Sequence, residues 1–143
     1  MEAYEDPAAF VVDVDTTDAI EIAAVDPGEY ELQCIKAEGK KGTDKNSEEW
    51  KGISMLFDIP SVMTAGLVNF MLFLPRKTEK TNDKQYAQSI SRFNEFKMAF
   101  KFEPSETFTP VDLVGREVWA TLIQEEHPEY GIQNKIQKWI VSH

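Results

Sequence analysis

The sequence predicts a mainly β domain of five strands and one helix, carried behind an acidic N-terminal arm. Three observations lead there. Short apolar runs with period-two alternation recur between Gly-, Pro- and Asn-containing breaks. A single stretch, Tyr86 to Phe100, instead has apolar residues at three- and four-residue steps. Third, the charge is unevenly placed. Met1 to Glu31 holds ten acids (Glu2, Glu5, Asp6, Asp13, Asp15, Asp18, Glu21, Asp26, Glu29, Glu31) and no Lys or Arg, while the rest balances fifteen acids with fifteen Lys and Arg. The net charge of −10 and the pI near 4.6 therefore describe the leader, not the body. An acidic pI argues against a nucleic-acid partner only when it describes the binding surface itself.

Taken in order, residues 1–26 read as an arm with two β-branched patches, Phe10 to Val14 and Ile20 to Val25. Pro27-Gly28 opens the domain, 27–143. Glu29 to Ala37 alternates, with Tyr30, Leu32 and Cys34 on one face, and its phase breaks at Ile35 as a bulge would break it. Gly39 to Ser47 reads as a flexible loop carrying Lys40, Lys41 and Lys45. Trp50 to Ile59 places Ile53, Met55, Phe57 and Ile59 together, and Pro60 ends it. Leu67 to Leu74 is apolar on both faces, so either Phe70 or Phe73 must leave the core. Asn82 or Asp83 caps the helix, whose Phe-rich stripe is core. Glu117 to Gln124 and Ile132 to Val141 close the chain around a 125–131 turn, with Ile132, Ile136 and Ile140 expected inward and Gln133, Lys135, Gln137 and Trp139 outward.

A chain of 143 residues suits one domain with an appended arm, and 42% apolar residues supply a core. The single cysteine, Cys34, excludes an intramolecular disulfide and reads as a small buried hydrophobe. No apolar run approaches ~18 residues, and the acidic start lacks a basic signal-peptide region, so a soluble, cytoplasmic protein is expected.

Three strands, a helix and a two-strand hairpin is the connectivity of the five-stranded Greek-key barrel called the OB-fold, with the helix between strands three and four. An open α+β sheet has the same element order. Here the chain resembles the small bacteriophage single-stranded DNA-binding proteins of the OB-fold type. The resemblance rests on Val25-Asp26-Pro27-Gly28-Glu29-Tyr30-Glu31-Leu32, the Gly-Lys-rich loop after strand one, Leu113-Val114-Gly115-Arg116, the Tyr130-Gly131 turn and the Asn134-Lys135 pair, and spans Val25 to Ile140. It implies a protein that coats single-stranded DNA during replication or recombination in the host cytoplasm. Many such proteins end in an acidic tail, whereas this sequence ends Trp139-Ile140-Val141-Ser142-His143. Either the acidic role has moved to the N-terminal arm or a tail lies beyond this sequence.

Binding single strands needs cations along the phosphates and aromatic faces under the bases. The candidates are Lys36, Lys40, Lys41, Lys45 and Lys51 around the first loop, Arg76, Lys77 and Lys80 after strand three, and Lys135 and Lys138 on strand five. Trp50, Trp119, Tyr130 and Trp139 are the candidate stacking platforms. The first loop and the Tyr130 turn are expected to flank one groove.

Catalytic patterns are missing: His127 lies in a turn and His143 at the end, and no Cys/His set has zinc spacing. The 39–43 segment fails the P-loop spacing, and Asp13-x-Asp15 lacks the Gly and Glu of a calcium loop. No catalysis, cofactor or metal is expected. The partner is single-stranded DNA, with replication or recombination proteins as further candidates. The competing reading is a β-barrel protein-docking or assembly module, and a third is an oligosaccharide-binding OB-fold.

Overall fold

The computed structural model describes residues 7–142; the acids Glu2, Glu5 and Asp6, and His143, lie outside the described residues. The described residues form one five-stranded antiparallel sheet and one α-helix: β1 (Gly28–Thr43), β2 (Glu49–Asp58), β3 (Val68–Phe73), α1 (Asp83–Ala99), β4 (Glu117–His127) and β5 (Gly131–Ile140), with 3₁₀ turns at Pro7–Ala9 and Pro110–Leu113. The strand order is β3-β2-β1-β4-β5. All four pairings are antiparallel. Hydrogen bonding does not close the sheet into a barrel; its edge strands, β3 and β5, meet through side chains, with the Phe70 and Trp139 rings 5.1 Å apart.

β1 is long because it serves two partners. Its first half pairs with β4 and its second half with β2, and the register shifts between Cys34 and Lys36. Ile35 is the extra residue and stands exposed, as its broken alternation predicts. The predicted 39–47 loop is shorter than expected. Gly39 to Thr43 continue as strand opposite Glu49 to Ile53, which leaves a 44–48 turn closed by Asp44 accepting from the Asn46 and Glu48 amides.

The core packs Leu32, Met55, Phe57, Val118 and Leu122 of the sheet against Phe96 and Phe100 of α1. Asn82 is the N-cap, and its side chain and that of Gln85 satisfy each other's backbone amides at 2.8 and 3.0 Å. The helix stripe is core only toward its C-terminal end, at Phe96, Ala99 and the following Phe100, and Ile90 is exposed. Lys97 is the one buried charged residue among those described, and its ammonium donates to the Pro104 and Glu106 carbonyls, pinning the loop after the helix. Arg116 does the same for the helix C-terminus: it donates to Phe100 O at 2.9 Å and lies over the Phe102 ring.

The end of the arm is docked on the domain. Ala23 makes a parallel bridge with Ala65, and Val25 is buried. Farther out, Val11, Val12, Val14, Ile20 and Ile22 are all exposed. No helix among the described residues is long and apolar enough to cross a membrane.

Candidate nucleic-acid interface

On β2, Ile53, Met55 and Phe57 face the core, so Trp50, Gly52, Ser54 and Leu56 occupy the face turned away from it. On that face Trp50 meets Phe73 of β3 edge-on, with ring centroids 5.4 Å apart. The sequence left open which phenylalanine leaves the core. It is Phe73, 61% exposed, while Phe70 packs inward on Trp139. Gly42, directly across from Trp50, makes the platform possible: a Cβ there would stand 2.7 Å from the indole ring. Trp50 thus lies flat over β1 beside an exposed phenylalanine.

Phe73 is also on the lip of a groove of 960 Å³ that follows the seam between β3, β5 and α1. Arg76 and Lys80 enter it from the segment after β3, Arg92 from α1 and Lys138 from β5, against a single carboxylate, Glu95. Gln85, Gln88 and Gln137 add hydrogen-bonding groups, and Phe70, Phe93 and Trp139 form apolar wall. Arg92 was missed in the sequence. Its signal is helical spacing, since Gln85, Gln88, Ser89 and Arg92 share the helix stripe beside the phenylalanines. A second cleft, of 490 Å³, runs from Asn69 and Met71 to the β4–β5 hairpin at Glu125 to Pro128. The 44–48 turn and the 127–131 turn therefore border opposite ends of β3.

Several predicted lysines are already engaged. Lys36 and Lys40 both pair with Glu38, at 3.2 and 3.1 Å, and these two cations hold the Glu38 carboxyl below its ordinary range. Arg76 donates to Asp44 at 2.8 Å and to Glu49 O at 2.7 Å; its hydrogen bond, then the Glu48 amide, draws the Asp44 carboxyl down. Lys77 pairs with Asp83 at 2.6 Å and Lys135 more loosely with Glu125 at 3.9 Å, while Lys80 donates to Asn46. Lys45 lies exposed on the 44–48 turn. Lys41 and Lys51 stand opposite one another on β1 and β2.

Three aromatic expectations need correcting or placing. Trp139 does not face outward. β4 and β5 shift register between Thr121 and Leu122, making Gln137 an extra residue, so Ile136 and Trp139 fall on the same, inner face. Its ring packs on Phe57, Phe70, Phe96 and Phe100, leaving only part of it toward the groove. The same bulge turns Ile140 outward opposite Trp119, and Ile132 is exposed because the hairpin outruns the core. Trp119 does face outward, but on β4, beside Glu31 and away from Trp50. Tyr130 is exposed at the turn tip with its ring 4.7 Å from His127. The arrangement therefore brings together Trp50, Arg76, Lys80 and part of Trp139 with Phe73, Arg92 and Lys138, and it leaves Trp119 apart.

Among the described residues no group of His, Cys, Asp and Glu is placed to hold a metal ion. Burial pushes the Cys34 thiol up, as suits a packing residue rather than a nucleophile. No protein-family model matches the sequence, and a search of curated proteins finds no significant relative.

Proposed function

We propose that this protein binds single-stranded DNA, without turnover and without strong sequence readout, on a partly open barrel of the OB type, in phage replication or recombination. The observation that carries this reading is the half-buried Trp50 set against the exposed Phe73 at the lip of a groove holding Arg76, Lys80, Arg92 and Lys138. Aromatic faces beside a cationic track are what a single strand needs: stacking is worth about 1–3 kcal/mol per base, and phosphate contacts add affinity that salt erodes. The strand order and the helix between β3 and β4 support the OB assignment, and the pair sits on the β2–β3 face that such barrels use.

The experiment is a titration of a fluorescent oligo-dT of about thirty nucleotides, with a matched duplex, at low and high salt. Preference for the single strand, weakened steeply by salt, is the expected result. Equal binding of the duplex, or none at low salt, contradicts it.

A further inference from the structure

A second groove, of 610 Å³, lies on the other side of Phe93 and Leu74 from the cationic one. Its floor and walls are apolar, from Ile53, Leu74, Phe93, Phe108 and Pro110. Its rim carries Lys40, Lys41 and Lys51 against one carboxylate among the described residues, Glu106. Lys41 and Lys51 are direct cross-strand partners, and among the described residues neither has an acidic group within ion-pair distance. Like charges facing each other across a ladder repel, and an anionic occupant relieves that repulsion. A phosphodiester backbone would waste the apolar floor, whereas a peptide alternating acids with aliphatic side chains satisfies both floor and rim.

The chain carries such a peptide. Val11, Val12 and Val14 alternate with Asp13 and Asp15, then Ile20 and Ile22 with Glu21, and all five aliphatic residues are at least half exposed. The Thr17 hydroxyl and amide hold the Asp15 carboxyl below its ordinary range. No described residue of the arm lines the groove of its own chain. The arm leaves the domain at Ala23, beside Ala65, whereas the groove lies near Gly39, roughly 35 Å along β1 from Gly28. Fully extended, the segment 10–22 beyond Ala23 reaches about 45 Å, enough to cross to a neighbour.

We infer that residues 10–22 of one molecule dock in the Lys41/Lys51 groove of a second copy. The donor segment and the acceptor groove are different surfaces, so the contact is head-to-tail and leaves one arm and one groove open at the ends of any chain of molecules. It propagates along a line, which is the geometry a strand-coating protein uses, although the contact itself does not depend on DNA.

The test is sedimentation velocity on the full chain without DNA, over a wide concentration range at low salt. The wild type is expected to grow beyond a dimer as concentration rises. Val11→Asp/Val12→Asp/Val14→Asp, which spoils the arm, and Lys41→Glu/Lys51→Glu, which spoils the groove, each raise the dissociation constant about tenfold or more. Mixing the two variants restores association, because one still offers a groove and the other an arm, but growth stops at the dimer. That recovery also shows both variants folded. A wild type that stays monomeric, a compaction independent of concentration, association surviving in both variants, or a mixture that fails to associate would each overturn the inference. Since no DNA is present, its failure is separate from that of the binding reading.

Discussion

Asn134 grips Val25 by both sides of its backbone. The side-chain oxygen accepts from the Val25 amide at 2.9 Å, and the side-chain amide donates to the Val25 carbonyl at 2.9 Å. Gln124 donates to the same carbonyl at 3.0 Å. Two side chains on the β4–β5 hairpin thus do for Val25 what a neighbouring strand would do, and they fix where the arm ends and the domain begins. Asn134→Ala removes one donor and one acceptor at a buried residue and is expected to cost about 1–3 kcal/mol. Urea denaturation measures the loss, and hydrogen exchange at the Val25 amide should accelerate with it.

Glu38 restrains two of the cations on the first hairpin. Its carboxylate, held low by Lys40 and Lys36, is ionised above the ordinary glutamate range and pairs with both there. As pH falls through that lowered folded value the pairing is lost, together with whatever stability it contributes. Glu38→Gln is expected to tighten oligo-dT binding and to steepen its salt dependence by about 0.7 in slope for each lysine that reaches a phosphate. The slope is read from titrations at several salt concentrations. An unchanged slope would place Lys36 and Lys40 off the path of the strand.

Gly42 and Trp50 offer a test of the platform's geometry. A methyl group at position 42 meets the indole at 2.7 Å and must displace it, since the ring lies directly over the strand. Gly42→Ala is therefore expected to lower single-strand affinity several-fold while leaving the folded state intact, as the strain is relieved by an outer-face side chain rather than by the core. Tryptophan fluorescence reports the displacement, and the titration reports its effect.

The sequence made the β elements, the capped helix and the bulge at Ile35 legible, because each rests on local alternation or spacing. The bulge at Gln137 was not legible. Polar Gln133, Lys135 and Gln137 continue an outward phase that would carry Trp139 with them, and only pairing with β4 shows the slip that turns Trp139 inward. The Gly39 to Thr43 stretch looked like loop from its glycines and lysines, yet it is strand, since the hairpin extends beyond the core and polar residues can pair there. Of the candidate site, Trp50, Arg76, Lys80 and Lys138 were found from the sequence. Phe73 remained one of two options, and Arg92 was hidden because a helix residue joins the groove only through the tertiary fold. The Asn134–Val25 contact spans 109 residues, and nothing in local pattern reports it.

The most direct measurement is the oligo-dT affinity of Phe73→Ala beside its thermal stability. Phe73 is 61% exposed and touches Trp50 at the lip of the cationic groove, so its removal should barely change folding. The account predicts a loss of about 1–3 kcal/mol in binding, roughly five- to 150-fold, with the melting temperature nearly unchanged. Wild-type affinity in the variant would contradict the claim that bases stack on the Trp50–Phe73 platform.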